Sequence, residues 1–207
     1  MKRFLCTIIV TFIPMSGIAA AEHSLDLSVT NDFIYRGISQ TNNMSAIQAE
    51  YKISQSKDSG YYAGLFSSNV SRGIEFDLYG GIKTKLDGFY GLVFDFGAVE
   101  YLYTDLSFSP IYHEFYYGLS KAQTYGKFYY GEGDAHYLDL GTRIPVVKNL
   151  DMDFHYGHSF GSTVIGQDFS LGLRAQYNKY TLVVTYTYED RTLEKQSNVG
   201  FSITNSF

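Results

Sequence analysis

The carboxy-terminal stretch reads Ser197-Asn198-Val199-Gly200-Phe201-Ser202-Ile203-Thr204-Asn205-Ser206-Phe207. Val199, Phe201 and Ile203 alternate with Gly200, Ser202 and Thr204. An alternation of two places apolar side chains on one face of a strand and polar ones on the other. Such a strand fits a half-buried soluble sheet, or a barrel wall with lipid outside and water inside. A final strand ending on an aromatic residue is also what the barrel-assembly machinery of Gram-negative outer membranes recognises. Phe207 therefore favours the barrel, and that machinery is the first partner to expect.

Composition points the same way. Residues 1–21 read as a cleaved export signal: Lys2 and Arg3 supply the positive start, Phe4 to Pro14 a short apolar run, and Ala19-Ala20-Ala21 the small-residue cut site before Glu22. The apolar run is broken by Pro14, Ser16 and Gly17, too short for a membrane-spanning helix. The single cysteine, Cys6, lies within this signal, so residues 22–207 form one domain stabilised without disulfides. Loss of Lys2 and Arg3 takes the net charge from −5 to −7, which disfavours nucleic acid as a partner. Twenty tyrosines, sixteen phenylalanines and twenty glycines, with three prolines, suit a barrel with aromatic girdles facing outer-membrane lipid.

Beyond residue 22 the alternation recurs in segments of roughly ten residues separated by turns, the pattern of a membrane barrel. Ser24 to Arg36 sets Leu25, Leu27, Val29, Phe33 and Tyr35 against Asp26, Ser28, Thr30, Asp32 and Arg36, and Gly37 to Met44 follows as a loop. Ile47, Ala49, Tyr51 and Ile53 then oppose Gln48, Glu50 and Lys52. Gly60 to Val70 is ambiguous in its faces, and Phe89 to Tyr101 is apolar on both for much of its length. Pro145 is expected to end the strand that precedes it, because proline donates nothing to a ladder. Phe169 to Tyr177 and Tyr180 to Tyr188, joined by Asn178-Lys179, form the cleanest hairpin. The expected fold is an all-β, transmembrane, antiparallel up-and-down barrel of twelve strands, with ten or fourteen as alternatives. Longer loops are expected at 37–44, 102–111, 159–167 and 190–197, and a tight connection at Ser71-Arg72-Gly73.

The clusters that invite a chemical reading each have a plainer one. His155 and His158 lie three apart and so point to opposite faces of a strand, unlike a metal pair. Glu75/Asp77 and Asp151/Asp153 share faces, as a cation site would, yet carboxylates in a wet bore need no such task. His158-Ser159 invites comparison with the outer-membrane phospholipase, but adjacent strand residues do not pair as base and nucleophile. No phosphate-cradling glycine loop is present. The reading is therefore non-enzymatic, with no cofactor and no metal.

What remains is a set of charges expected to line a pore. The acidic members are Asp32, Glu50, Glu75, Asp77, Glu114, Asp139 and Asp153; the basic members are Arg36, Arg143 and Arg174. A basic residue on the lipid face would cost roughly 2–4 kcal/mol near the midplane, so this polar face belongs inside. Standing apart, these charges would tune passage of small solutes or ions; paired across the bore, they would plug it. The excess of acids tilts the expectation toward cations.

Thr30-Asn31-Asp32-Phe33-Ile34-Tyr35-Arg36-Gly37-Ile38-Ser39-Gln40-Thr41, Gly60-Tyr61-Tyr62-Ala63-Gly64, Ser68-Asn69-Val70 and Glu75-Phe76-Asp77-Leu78-Tyr79-Gly80-Gly81 carry a resemblance. Together they closely resemble a proteobacterial family of porin-like barrels of the TorF type, over nearly the whole mature chain. The resemblance implies an outer-membrane barrel with a channel role, no established substrate and no catalytic residues. It places Arg36, Glu75 and Asp77 on recurring positions. The very short 71–73 connection departs from it. The functional expectation is thus an outer-membrane channel for small hydrophilic solutes or ions. A non-conducting structural or adhesion barrel is the alternative, and a lipid hydrolase stands third.

Overall fold

The computed structural model describes residues 21–105, 111–132, 135–161, 165–191 and 195–207. The expected signal falls almost wholly outside this range, as do parts of the loops expected at 102–111, 159–167 and 190–197. Twelve long strands form the wall: β1 (Glu22–Thr30), β4 (Ala46–Ser54), β5 (Gly60–Val70), β6 (Gly73–Lys85), β7 (Val93–Tyr103), β8 (Ile111–Lys121), β9 (Thr124–Gly131), β10 (His136–Val147), β11 (Leu150–Phe160), β12 (Gly166–Tyr177), β13 (Tyr180–Arg191) and β14 (Lys195–Ser206). Each pairs antiparallel with its neighbours, and β1 joins β14 to close the barrel. Two short strands, β2 (Ile34–Tyr35) and β3 (Ile38–Ser39), pair only with each other.

The alternation read from β14 holds. Val199, Phe201 and Ile203 are exposed on the outside while Gly200, Ser202 and Thr204 turn inward. The same division runs through β12 and β13, where Phe169, Leu171, Leu173, Leu182, Val184 and Tyr186 are all exposed. A continuous apolar exterior of this size suits lipid, and closure gives each of the twelve long strands a neighbour on both sides. Asn178, at φ 53°, makes the two-residue turn expected between β12 and β13.

Three expectations are corrected. The first strand ends at Thr30, six residues before Arg36, because the chain leaves the wall at Asn31 and turns into the barrel. The stretch expected from Phe89 enters the wall only at Val93, because a turn from Leu86 to Leu92 runs through positive φ at Gly88, Tyr90 and Gly91. That sets the register of β7, with Val93, Asp95, Gly97, Val99 and Tyr101 all buried inside. Pro145 does not end β10; the ladder resumes at Val147 after a register shift, a bulge that absorbs the missing N–H.

The inward turn at residue 31 leaves backbone groups of β14 without a strand beside them, and the Asn31 side chain replaces it. Its Nδ2 donates to the Val199 carbonyl at 3.0 Å, and its Oδ1 accepts from the Phe201 N–H at 2.6 Å. Asn69 does the same where the chain re-enters the wall, accepting from the Ile47 N–H at 2.7 Å and donating to the Ser45 carbonyl at 3.1 Å. Elsewhere tyrosines fill the wall: Tyr79, Tyr62, Tyr116, Tyr125 and Tyr137 lie across Gly64, Gly81, Gly97, Gly141 and Gly157, where any Cβ would strike the ring.

Asn31→Ala exposes both β14 groups beside lipid without partners. Unmet buried groups cost about 1–3 kcal/mol each, so the variant should show a lower midpoint in heat-shifted gel mobility than the wild type. An unchanged midpoint would mean that the patch contributes nothing.

Candidate functional site

Ile34-Tyr35-Arg36-Gly37-Ile38-Ser39 forms a tight hairpin because two residues with positive φ stand at its centre, Arg36 at 49° and Gly37 at 83°. Both signs of φ match the mirror-image turn that two-residue hairpins favour. Gly37 is obligatory by space as well: a Cβ there would lie 2.8 Å from Cβ of Asp168 on β12 and 3.2 Å from Cβ of Glu189 on β13. Arginine in a left-handed conformation costs roughly 1–2 kcal/mol, so something must hold it.

Glu114 of β8 holds it. Arg36 Nη1 and Nη2 donate to the two Glu114 carboxylate oxygens at 2.8 and 2.6 Å, and the Glu114 side chain is wholly buried. A two-pronged arginine–carboxylate contact is among the strongest neutralising arrangements available to buried charge. Tyr101 and Tyr112 hydroxyls also donate to that carboxylate, at 2.9 and 3.3 Å. The guanidinium lies 4.3 to 4.9 Å from the ring centres of Tyr35, Tyr129 and Tyr137, each face adding attraction to the cation. Arg191 donates to the Arg36 carbonyl at 3.0 Å. At the hairpin's base, Asp32 accepts from Ser39 Oγ at 2.6 Å and Thr41 Oγ1 at 2.8 Å. The hairpin thus spans the interior from its roots beside β1 and β4 to β8, β12 and β13.

Beneath it lies a cavity of about 740 Å³, bounded by the hairpin and by residues of nearly every strand. Its wall includes Lys52, Lys83 and Lys127 on one side and Ser170, Thr185 and Ser202 on another. Lys127 Nζ pairs with Asp95 at 2.8 Å, and Tyr62 donates to the same carboxylate at 2.6 Å. His155 sits between Asp139, 3.1 Å from Nε2, and Asp168, 3.4 Å from Nδ1. At the end of the barrel carrying both termini, Arg143 and Arg174 share Asp153 at 2.7 and 2.8 Å.

The ten charges singled out in the sequence occupy four kinds of place. Glu50, Asp77 and Asp139 are strand residues lining the cavity; Glu50 is also hydrogen-bonded by Tyr79. Asp32 and Arg36 line it from the inward-folded segment and not from the first strand. Glu75 and Glu114 are buried, Glu75 accepting from Tyr103 at 2.8 Å. Arg143, Asp153 and Arg174 form the bridged group below. His155 and His158 diverge: the first meets the aspartates inside, and the second stacks on Phe160 with ring centres 5.4 Å apart.

The sequence reading missed Lys83, Asp95, Lys127, Asp168 and Arg191 as members of this interior. Lys52 had been placed on the polar face and then left out of the charged set. Asp95 fell in the stretch without a clear face, and Asp168 and Arg191 fell just outside the assumed strand limits. Extending the β12 alternation one residue back from Phe169 would have found Asp168. The interior gains Lys52, Lys83, Lys127 and Arg191 together with Asp95 and Asp168, so acids still outnumber bases there, and pairing rather than the total decides where charge is left open.

A bacterial family described as "Bacterial protein of unknown function (Gcw_chp)" matches residues 16–204. That description assigns no activity and does not carry the TorF-type name. No curated protein matches the sequence. Among solved structures, a "KdgM porin" superposes with a TM-score of 0.61 at 9% identity, covering 89% of this chain and 99% of that one. A "KdgM porin in complex with disordered oligogalacturonate" gives 0.60 at 10%, over 89% and 99%. A "NanC porin" gives 0.57 at 13%, over 88% and 98%. At these identities the likeness is one of fold.

Glu114→Gln removes the charge that holds the hairpin. Breaking a buried pair costs about 3–5 kcal/mol, enough to let the hairpin leave its seat for a measurable fraction of the time. Trypsin should then cut after Arg36 in the folded variant and not in the wild type, read from a fragment beginning at Gly37. Equal protection in both would mean that other contacts hold the hairpin.

Proposed function

The chain belongs to the Gcw_chp family of bacterial proteins, and we propose that it is a porin-like channel of the outer membrane that passes small hydrophilic solutes or ions. The observation that carries this reading is the polar-walled cavity of about 740 Å³ inside a closed barrel whose exterior is apolar. Twelve strands enclose more than the eight that side chains fill, and less than the sixteen or more of wide aqueous porins. The bore of such a barrel suits small cargo. The KdgM porin solved with disordered oligogalacturonate supports a hydrophilic solute as the type of cargo.

In this reading the termini face the periplasm and the β2–β3 hairpin descends from the outer mouth as a constriction. Field and diameter at the hairpin select what passes, as in other pores. The ten charges named from the sequence divide the work. Arg36, Glu114 and Asp32 set the constriction. Glu50, Asp77 and Asp139 meet the solute, Glu75 braces the wall, and Arg143, Asp153 and Arg174 shape the inner exit. The β14 strand ending at Phe207 is the segment presented to the assembly machinery. Transport here is passive and involves no bond-making step.

The Arg36–Glu114 pair also supports a second reading, in which the hairpin is a permanent plug in a structural barrel. Single-channel recordings of the refolded protein in planar bilayers separate the two. The wild type should give discrete steps, and a variant with Phe33–Thr41 replaced by a short Gly-Ser link should give steps at least about twofold larger, as a wider bore requires. Steps only in the linked variant would establish the plug. A folded barrel silent in both forms would rule out the channel.

A further inference from the structure

On the cavity floor the lysines are not equivalent. Lys127 is neutralised by Asp95, whose carboxylate is also held by Tyr62. Lys52 on β4 and Lys83 on β6 have no carboxylate partner among the described residues. Their ammonium groups stand 5.6 and 5.5 Å from the centre of one ring, that of Tyr62. Glu50, two residues from Lys52 on the same face, is engaged by the Tyr79 hydroxyl and bridges to neither lysine. Lys83 donates to the Lys57 carbonyl at 3.3 Å and stands across the β6–β7 ladder from Asp95, whose carboxylate Lys127 already bridges.

Two ammonium groups gathered on one aromatic ring repel each other. The ring's attraction for each cation, roughly 0.5–2 kcal/mol, offsets part of that repulsion without cancelling the charge. The positive field is therefore left open to the cavity. Both lysines line this cavity together with Ser170, Thr185 and Ser202, whose hydroxyls make no hydrogen bond among the described residues. A ligand entering here meets two free cations on one side and hydroxyl donors on another, a pairing that fits an anion with several oxygens.

We propose that Lys52 and Lys83 form a binding site, inside the barrel beneath the hairpin, for a small anion carrying two or more negative charges. A dianion matches the two uncompensated ammonium groups, whereas a monoanion leaves one of them in excess. The Tyr62 ring sets the lysines' separation, and its hydroxyl is committed to Asp95, so the ring orients the site without binding the ligand itself. This inference rests on the reading of the bore as a solute path, and it gives that path a preference for multivalent anions.

The test uses citrate as probe and acetate at equal ionic strength as control, on refolded full barrel in zwitterionic detergent and, separately, in planar bilayers. Calorimetric titration should show saturable citrate binding and none for acetate. Citrate should also reduce potassium chloride current in a saturable way. The folded Lys52→Gln/Lys83→Gln double variant should bind citrate at least about tenfold more weakly, as loss of two charge partners requires. Lys179→Gln, in the β12–β13 turn, should bind like the wild type. Equal citrate affinity in wild type and double variant would overturn the proposal, as would channel steps with neither binding nor block. Citrate binding in detergent without any current would uphold the site and remove the channel.

Discussion

Backbone hydrogen bonding beside lipid is the constraint on which the rest of the structure depends. Outside the wall there is no water to satisfy an open N–H or carbonyl, so every strand must have two neighbours. The β1–β14 junction meets that demand, with Phe207 exchanging backbone bonds with Leu25 at 2.9 and 3.3 Å. It is hardest to meet where the chain leaves the wall at residue 31 and returns at residue 46. Asn31 and Asn69 carry an amide on the side chain, a donor and an acceptor in peptide geometry: Asn31 completes the ladder beside β14 where β1 has left, and Asn69 of β5 completes it at the start of β4. The hairpin can fold inward because those two amides keep the wall sealed behind it.

Inside, water relaxes the demand on backbone, and volume and charge become the deciding quantities. Large tyrosine rings lie flat over glycines of the adjacent strand, which keeps them against the wall and leaves the space beneath the hairpin open. Their hydroxyls then meet the interior carboxylates: Tyr79 on Glu50, Tyr103 on Glu75, Tyr62 on Asp95, Tyr125 on Asp139. The barrel thereby holds many acids in few places without bringing a base to each. Arg36 is spent on Glu114 and Lys127 on Asp95, so the uncompensated positive charge collects at Lys52 and Lys83. The functional character of the bore follows from which charges are left over and not from their total.

Much of the wall was legible because strand alternation is a local property. β12, β13 and β14 were read with their faces correct, since nearly every outward position is apolar and most inward ones are small or polar. β5 and β7 resisted for a physical reason: their inward faces carry Tyr62, Phe66, Val99 and Tyr101, which are apolar enough to erase the contrast. Asp95 was hidden by that loss of contrast. Arg36 was recognised as a residue that matters but was assigned to a strand, because Phe33 and Tyr35 extend the β1 pattern without a break. The Arg36-Gly37 pair between two short β-prone runs is a hairpin signal, though a weak one, because arginine seldom occupies a left-handed turn position.

By itself the sequence determined the class of the molecule: an apolar-out, polar-in wall of twelve strands. That information repeats every two residues and needs no knowledge of distant partners. The tertiary structure alone decided where segment 31–45 goes. Its seat is built from Glu114, Tyr129, Tyr137, Asp168 and Glu189, contributed by β8, β9, β10, β12 and β13 and brought together only when the barrel closes. The same closure sets Lys52 and Lys83 over one ring while taking Lys127 away to Asp95. Charge can be counted along a chain, but which charges cancel is a matter of distance across the bore, and distance is fixed by closure.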